Sequence, residues 1–185
     1  MKILGRLITP SLAFPGEVRE FIKVDFDERG GSPHDKIRKL RALISDGAQD
    51  PRINELASSL VRGQPDRDDA AEAATLLEYV QNHVRYTEEG TETFRSAAYT
   101  AEKGFGDCDD AVVLYCALCE SIGIPTRLSI ISKRTGLLRH EPLHVYALVG
   151  LPHRNPTDWL PAEPTIHVPL GWDPVEYAAA HADKL

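Results

Sequence analysis

The feature that most constrains the fold is a segment that is apolar on nearly every helical face. It runs from Asp107 to Ile122. Its apolar residues are Ala111, Val112, Val113, Leu114, Cys116, Ala117, Leu118, Cys119 and Ile122. A helix that is hydrophobic all round must be buried on all sides. The segment therefore predicts the central helix of a globular domain, and Gly123 and Pro125 after it are typical of a helix exit.

The residues before this helix predict three further helices and a strand. Alternating apolar residues within 18–27 indicate a strand. Helical periodicity with capping signals predicts helices over 33–47, where Ser32 is the expected N-cap, over 51–63, and over 68–84. Residues 88–103 lack periodicity, so we predict a long loop there, and long loops near a site are often functional.

The residues after the helix predict a sheet. The segments 127–132 and 143–149 are rich in Leu, Ile and Val, and Gly136 between them indicates a turn. Helices followed by strands are typical of an α+β domain. No repeat or linker divides the 185 residues, so we predict a single domain.

Composition excludes several classes of protein. The formal net charge of −7 disfavours a nucleic-acid partner, which proteins hold with clustered Lys and Arg. No apolar stretch approaches the length of a membrane span, and the N-terminus lacks the apolar run of a signal peptide. Three clustered cysteines are not a disulfide framework, so a cytoplasmic protein with a free thiol is expected.

Cys108 is the candidate nucleophile because it begins the apolar helix. Unpaired N–H groups and the positive end of the helix dipole favour a thiolate there. The same N–H groups could stabilise the oxyanion of an acyl intermediate. Gly104 and Gly106 are expected to allow a tight turn and to leave room for substrate.

The neighbouring acids have an ordinary explanation. Asp107, Asp109 and Asp110 are expected to cap the helix, as acids in a first turn usually do. Their charges would oppose a thiolate at Cys108, so a base must come from elsewhere in the chain.

His144 is the candidate base, and Glu163 is the candidate acid that orients it. In a strand over 143–149, His144 shares a face with Tyr146 and Leu148. An acceptor that fixes the imidazole and stabilises imidazolium should follow. Glu163 meets this need, Asp158 is the alternative, and either gives the order Cys, His, acid of papain-like thiol enzymes.

Four ordered motifs between residues 70 and 165 resemble the core of the transglutaminase-like superfamily. They are YVQNHVRY at 79–86, GDCDD and the apolar helix to GIPTR at 106–127, HVY at 144–146, and Trp159 with EPT at 163–165. The resemblance implies a papain-like α+β fold and a Cys-His-acid triad of Cys108, His144 and Glu163. Glu163 replaces the family's usual Asp, and Val145 replaces the aromatic that usually follows the His.

The resemblance also implies how the chain is divided and what chemistry it performs. We expect a transglutaminase-like core at 64–170, an N-terminal helical extension at 1–63 that covers the core or binds a protein partner, and a tail at 171–185. The implied chemistry is thiol-dependent acyl transfer on amides of a protein or peptide without a cofactor, first as a cysteine peptidase or isopeptidase. Alternatives are a glutamine deamidase or transglutaminase, or a non-catalytic binding or structural protein. Small members occur in bacteria and phages, so a virion-associated role is expected if the chain is phage-encoded.

The residues disfavour two other kinds of site, a redox or metal-binding CxxC and a Cys-His metal site. Cys116 and Cys119 form a CxxC inside the apolar helix, where small core thiols are the better interpretation. A metal site from Cys108, His140 and His144 is disfavoured because Pro142 separates the histidines in a segment that enters a strand.

Overall fold

The structure, a computed structural model, describes residues 21–26, 35–64, 68–87, 93–134 and 140–175. These ranges contain five helices: α1 (Asp35–Ala48), α2 (Pro51–Val61), α3 (Asp69–His83), α4 (Ala97–Lys103) and α5 (Cys108–Ser121). They also contain six strands: β1 (Phe21–Phe26), β2 (Arg85–Tyr86), β3 (Phe105–Gly106), β4 (Thr126–Arg134), β5 (His140–Leu151) and β6 (Asp158–Ala162). The expected N-cap Ser32 and turn residue Gly136 lie outside the described residues.

The main sheet is antiparallel and has the strand order β1-β4-β5-β6. Strands β2 and β3 form a separate parallel pair. In the β4–β5 ladder, His144 pairs with Ile131 but the next pair joins Pro142 to Ser132, so Leu143 is the extra residue of a β-bulge. Bulges bend a strand and redirect its side chains. This one lies immediately before the candidate base.

Helix α5 is the centre of the core, as its apolar composition predicts. Every residue from Asp109 to Cys119 is buried. The helix contacts each of the other four described helices as well as β4 and β5. Its one buried hydroxyl, that of Tyr115, donates to the Ala73 carbonyl of α3 at 3.2 Å. The α+β fold with a buried helix against an antiparallel sheet is therefore confirmed.

The predicted alternation along β5 is also confirmed. Val145, Ala147 and Val149 pack in the core that surrounds α5. Tyr146 and Leu148 belong to a second buried cluster with Ile131 of β4. The His144 ring stacks beside that of Tyr146, with centroids 6.4 Å apart.

The predicted loop over 88–103 is wrong in part, because α4 occupies its last seven residues. The Ser96 side chain accepts the Tyr99 N–H, and Gly104 ends the helix at a φ of 67°. Only Ala97 and Thr100 of α4 are buried, so the helix is too short to show a periodic pattern. Strand β6 was also missed, since it has five residues, includes Pro161 and lies at a sheet edge where proline is tolerated.

We expect Gly47→Ala to destabilise the protein, because Gly47 is where α1 approaches both α4 and α5. A Cβ at Gly47 would lie 2.9 Å from the Cβ atoms of Ala97 and Ala117. Overpacking of this kind costs about 1–3 kcal/mol, which should outweigh a gain of about 1 kcal/mol in helix propensity. Urea denaturation would measure the net loss. Gly63→Ala is the control, since a Cβ there meets nothing within 4 Å; equal stability of the two variants would contradict the packing.

Candidate active site

Cys108 is the first residue of α5, and the turn before it is fixed by a capping box. The Asp107 side chain accepts the N–H groups of Asp109 and Asp110 at 3.0 and 3.2 Å. Asp110 in return accepts the Asp107 N–H at 3.4 Å. The interpretation of Asp107 and Asp110 as capping residues is therefore confirmed. Cys108 is half-buried, and as the first residue of α5 it has an N–H group with no acceptor within the helix.

The Cys108 side chain has two polar neighbours. Its Sγ lies 3.8 Å from Oδ1 of the buried Asp109. The imidazole of His144 lies close enough to interact with the thiol, and this interaction contributes to the raised pKa of His144. The structure thus brings the candidate nucleophile and the candidate base into contact.

His144 of β5 and Glu163, which directly follows the adjacent strand β6, form a buried pair. Nε2 of His144 lies 2.5 Å from Oε2 of Glu163. The two side chains are 8% and 0% exposed, so water does not screen this contact. Because Glu163 occupies Nε2, the other ring nitrogen, Nδ1, is the one left to exchange a proton with Cys108.

This arrangement favours the protonated imidazole. Burial alone would lower the pKa of His144, since it removes the charged ring from water. The charge of Glu163 and the hydrogen bonds with Cys108 and Glu163 act in the opposite direction, and the pKa is raised to about 10. At neutral pH the geometry therefore supports an imidazolium at His144.

The second oxygen of Glu163 is held by Thr165. Oε1 accepts the Thr165 N–H at 3.0 Å and its hydroxyl at 2.5 Å. The backbone at Glu163 is fixed as well, because the Gln81 amide donates to the carbonyls of Glu163 and Val168 at 3.0 and 2.9 Å. Gln81 lies on α3, so this helix holds the backbone of the acid in place.

Asp158, the alternative acid, lies elsewhere. It is exposed at the start of β6, where it pairs with Leu151 of β5 and accepts the Thr157 hydroxyl at 3.0 Å. Glu163 follows the other end of the same strand. The structure thus brings Glu163 to His144 and leaves Asp158 at the surface.

Asp110 has a second role that the sequence did not reveal. Its carboxylate, 1% exposed, pairs with Arg95 Nη1 at 2.5 Å and accepts the Arg95 N–H at 2.9 Å. The Arg95 guanidinium lies 5.9 and 5.4 Å from the ring centres of Tyr99 and Phe105. Asp110 therefore ties the segment before α4 to the start of the cysteine helix. No spacing in the sequence signals this pair, because its members are 15 positions apart and are joined by a short helix and irregular segments.

Gly106 is required by this ion pair. A Cβ at Gly106 would lie 2.6 Å from the Asp110 Cβ and 2.8 Å from its Oδ2. The space expected here for substrate is therefore filled by the Asp110 carboxylate, and that expectation is wrong for Gly106. Gly104 does form the predicted turn.

The remaining cysteines are core thiols. Cys116 and Cys119 are completely buried, and burial raises the pKa of Cys116 to about 12 and that of Cys119 well above its usual value. Within the described ranges, no group of three or more Cys, His, Asp and Glu side chains is placed to hold a metal ion. The side chain of His140 lies outside them.

The fold and the site define a class: a papain-like arrangement with a cysteine at the start of a buried helix, beside a histidine and an acid borne on an antiparallel sheet. Residues 54–164 match the family model of the transglutaminase-like superfamily. Because the match covers more than half of the chain, the protein belongs to this superfamily of thiol-dependent enzymes.

A comparison with solved structures gives a match of low similarity. It is named "Putative Cysteine Protease" and comes from Cytophaga hutchinsonii, with 18% identity and a TM-score of 0.48. The alignment covers 82% of this chain and 52% of that one, so the present chain spans about half of that protein. No curated protein matches the sequence. Across the described residues, none of the helices is long and apolar enough to cross a membrane.

We expect Arg95→Ala to destabilise the protein strongly, because it leaves the Asp110 carboxylate buried without its cation. Breaking a buried pair in this way costs about 3–5 kcal/mol. Arg52→Ala is the matched control, since Arg52 also pairs with an Asp, at 2.7 Å from Asp50, but its side chain is 73% exposed. Such a pair contributes little. Chemical denaturation should separate the two variants, and similar stabilities would show that Arg95 does not anchor the site.

Proposed function

We propose that this protein is a thiol-dependent acyl-transfer enzyme that acts on amide bonds of a protein or peptide, as a cysteine peptidase or isopeptidase. The observation that carries the proposal is the placement of His144 between the Cys108 thiol and the fully buried Glu163. Nucleophile, base and orienting acid in this geometry are what covalent acyl transfer requires. Membership of the superfamily supports the same chemistry.

The geometry supports a two-step reaction. His144 already holds the proton of the Cys108 thiol as an imidazolium, and the resulting thiolate attacks the carbonyl carbon of the amide. The N–H of Cys108, at the positive end of α5, is placed to stabilise the oxyanion that forms. The imidazolium then gives its proton to the leaving amine, and a thioester remains on Cys108.

The second step regenerates the thiolate. His144 removes a proton from water and becomes an imidazolium again, and the resulting hydroxide attacks the thioester carbonyl, which releases a carboxylic acid and the Cys108 thiolate. Glu163 stays ionised and stabilises the imidazolium in both steps. A glutamine side chain as substrate would release ammonia instead of an amine, and an amine in place of water would give a crosslink. Analysis of the products from a glutamine-containing peptide separates these alternatives from peptide cleavage.

We expect Cys108 to be alkylated by iodoacetamide much faster than Cys116 and Cys119 at neutral pH. The two core thiols are buried and have raised pKa values, whereas Cys108 is half-exposed beside His144. In the wild type the Cys108 reactivity should already be high well below the usual thiol pKa of about 8.5. Mass spectrometry of each cysteine between about pH 5 and 9 would give these rates.

In His144→Ala, the rise in Cys108 reactivity should move up towards pH 8.5, a loss of about 10-fold or more at neutral pH. His153→Ala is the matched control: His153 also pairs with a carboxylate, that of Asp69 at 2.8 Å, but on the turn after β5. It should leave the profile unchanged. Cys108→Ala should abolish rapid labelling. A wild-type profile that rises only near pH 8.5 and is the same in His144→Ala would remove His144 from the mechanism and favour a non-catalytic protein.

A further inference from the structure

Both oxygens of the Glu163 carboxylate are committed to partners. Oε2 faces His144 Nε2 at 2.5 Å, and Oε1 accepts two hydrogen bonds from Thr165. The carboxylate is completely buried, so protein groups must replace the water that an ionised acid would otherwise bind. Among the described residues, Thr165 supplies two of the three polar contacts of this carboxylate.

The Thr165 contacts to Oε1 also determine the direction in which the other carboxylate oxygen, Oε2, points. A carboxylate is planar, so fixing Oε1 also fixes the direction in which Oε2 points. Glutamate has one more rotatable bond than aspartate, and that bond sets the orientation of the carboxylate plane. Hydrogen bonds to the charged form also keep an acid ionised. The hydrogen bonds from Thr165 to Oε1, which we call the Thr165 clamp, therefore stabilise the negative charge and also orient Oε2.

We infer that Thr165 is a positioning residue of this site: its hydroxyl and N–H hold Glu163 ionised and direct Oε2 to His144. The inference deepens the proposed function and rests on it for its catalytic meaning. The role does not extend to substrate, since Thr165 acts only through Glu163.

The local backbone holds Thr165 in position to donate its hydrogen bonds to Oε1 of Glu163. Pro164 lies between the two residues and restricts the chain to a narrow range of φ. On the other side, Gln81 of α3 holds the carbonyls of Glu163 and Val168, so the segment that contains Thr165 is fixed at both ends. The hydroxyl thus stays within reach of Oε1 without a large loss of side-chain freedom, since threonine has few rotamers.

The test uses the full chain with Thr165→Val, which removes the hydroxyl and keeps the shape, and Thr165→Ser, which keeps the hydroxyl. Two quantities are measured: the pH titration of the His144 imidazole by NMR, and the pH profile of Cys108 alkylation. Thr165→Val should lower the pKa of His144 and slow Cys108 alkylation at neutral pH by about 10-fold, the effect of about one pKa unit. Thr165→Ser should stay close to the wild type. Thr157→Val is the control, because it removes a hydroxyl that also donates to a carboxylate, that of Asp158.

Thr165→Ala provides a second variant without the hydroxyl, in case the valine methyl disturbs folding. An unchanged His144 titration in a folded variant that lacks the hydroxyl would overturn the inference. So would a serine variant that behaves like the valine variant, because the effect would then come from packing. If wild-type Cys108 proves as inert as Cys116 while the His144 titration responds to Thr165, the clamp stands and the proposed function fails. If Cys108 depends on His144 but not on Thr165, the proposed function stands and the clamp fails.

Discussion

The rest of the site depends on one buried charge, the carboxylate of Glu163. An ionised acid with no exposed surface is very unfavourable unless it is paired and hydrogen-bonded. His144 supplies the pairing cation, and Thr165 supplies donors to the second oxygen. Strand β6 carries the acid to its place beside β5, and Gln81 of α3 fixes the backbone there. The same pairing occupies Nε2 of the imidazole and leaves Nδ1 as the nitrogen available to the thiol.

The helix that carries Cys108 creates an electrostatic conflict that this pair resolves. Asp107 and Asp110 cap the helix and stabilise its start, but their charges oppose a thiolate between them. Burial, and to a smaller extent the charge of the neighbouring Asp109, raises the pKa of Asp107 to about 6. The Arg95 guanidinium neutralises Asp110. Under the proposed function, the His144 imidazolium compensates the charge of a thiolate at Cys108. Beside three acidic residues, the helix dipole alone would not stabilise a thiolate at Cys108.

Long periodic elements could be predicted from the sequence, whereas short ones and those fixed by distant contacts could not. The all-round apolar pattern of α5 and the alternation of β5 each reflect many buried residues, and both were confirmed. Helix α4 buries two residues, and β6 has five with a proline, so neither gives a pattern. Of the site, Cys108, His144 and Glu163 could be named from their order and motifs, and their catalytic roles stay predictions. The Arg95–Asp110 and Thr165–Glu163 contacts depend on loop geometry that no spacing encodes.

The most direct test of the central claim compares the two candidate acids by matched amide substitutions. Glu163→Gln keeps the shape of the side chain but cannot stabilise an imidazolium, so the rate of Cys108 alkylation at neutral pH should fall by about 10-fold or more. Asp158→Asn removes an exposed charge that contacts Thr157 and should leave the rate unchanged. A damaging Asp158→Asn together with a silent Glu163→Gln would contradict the account, because the buried carboxylate would then have no part in activating the thiol.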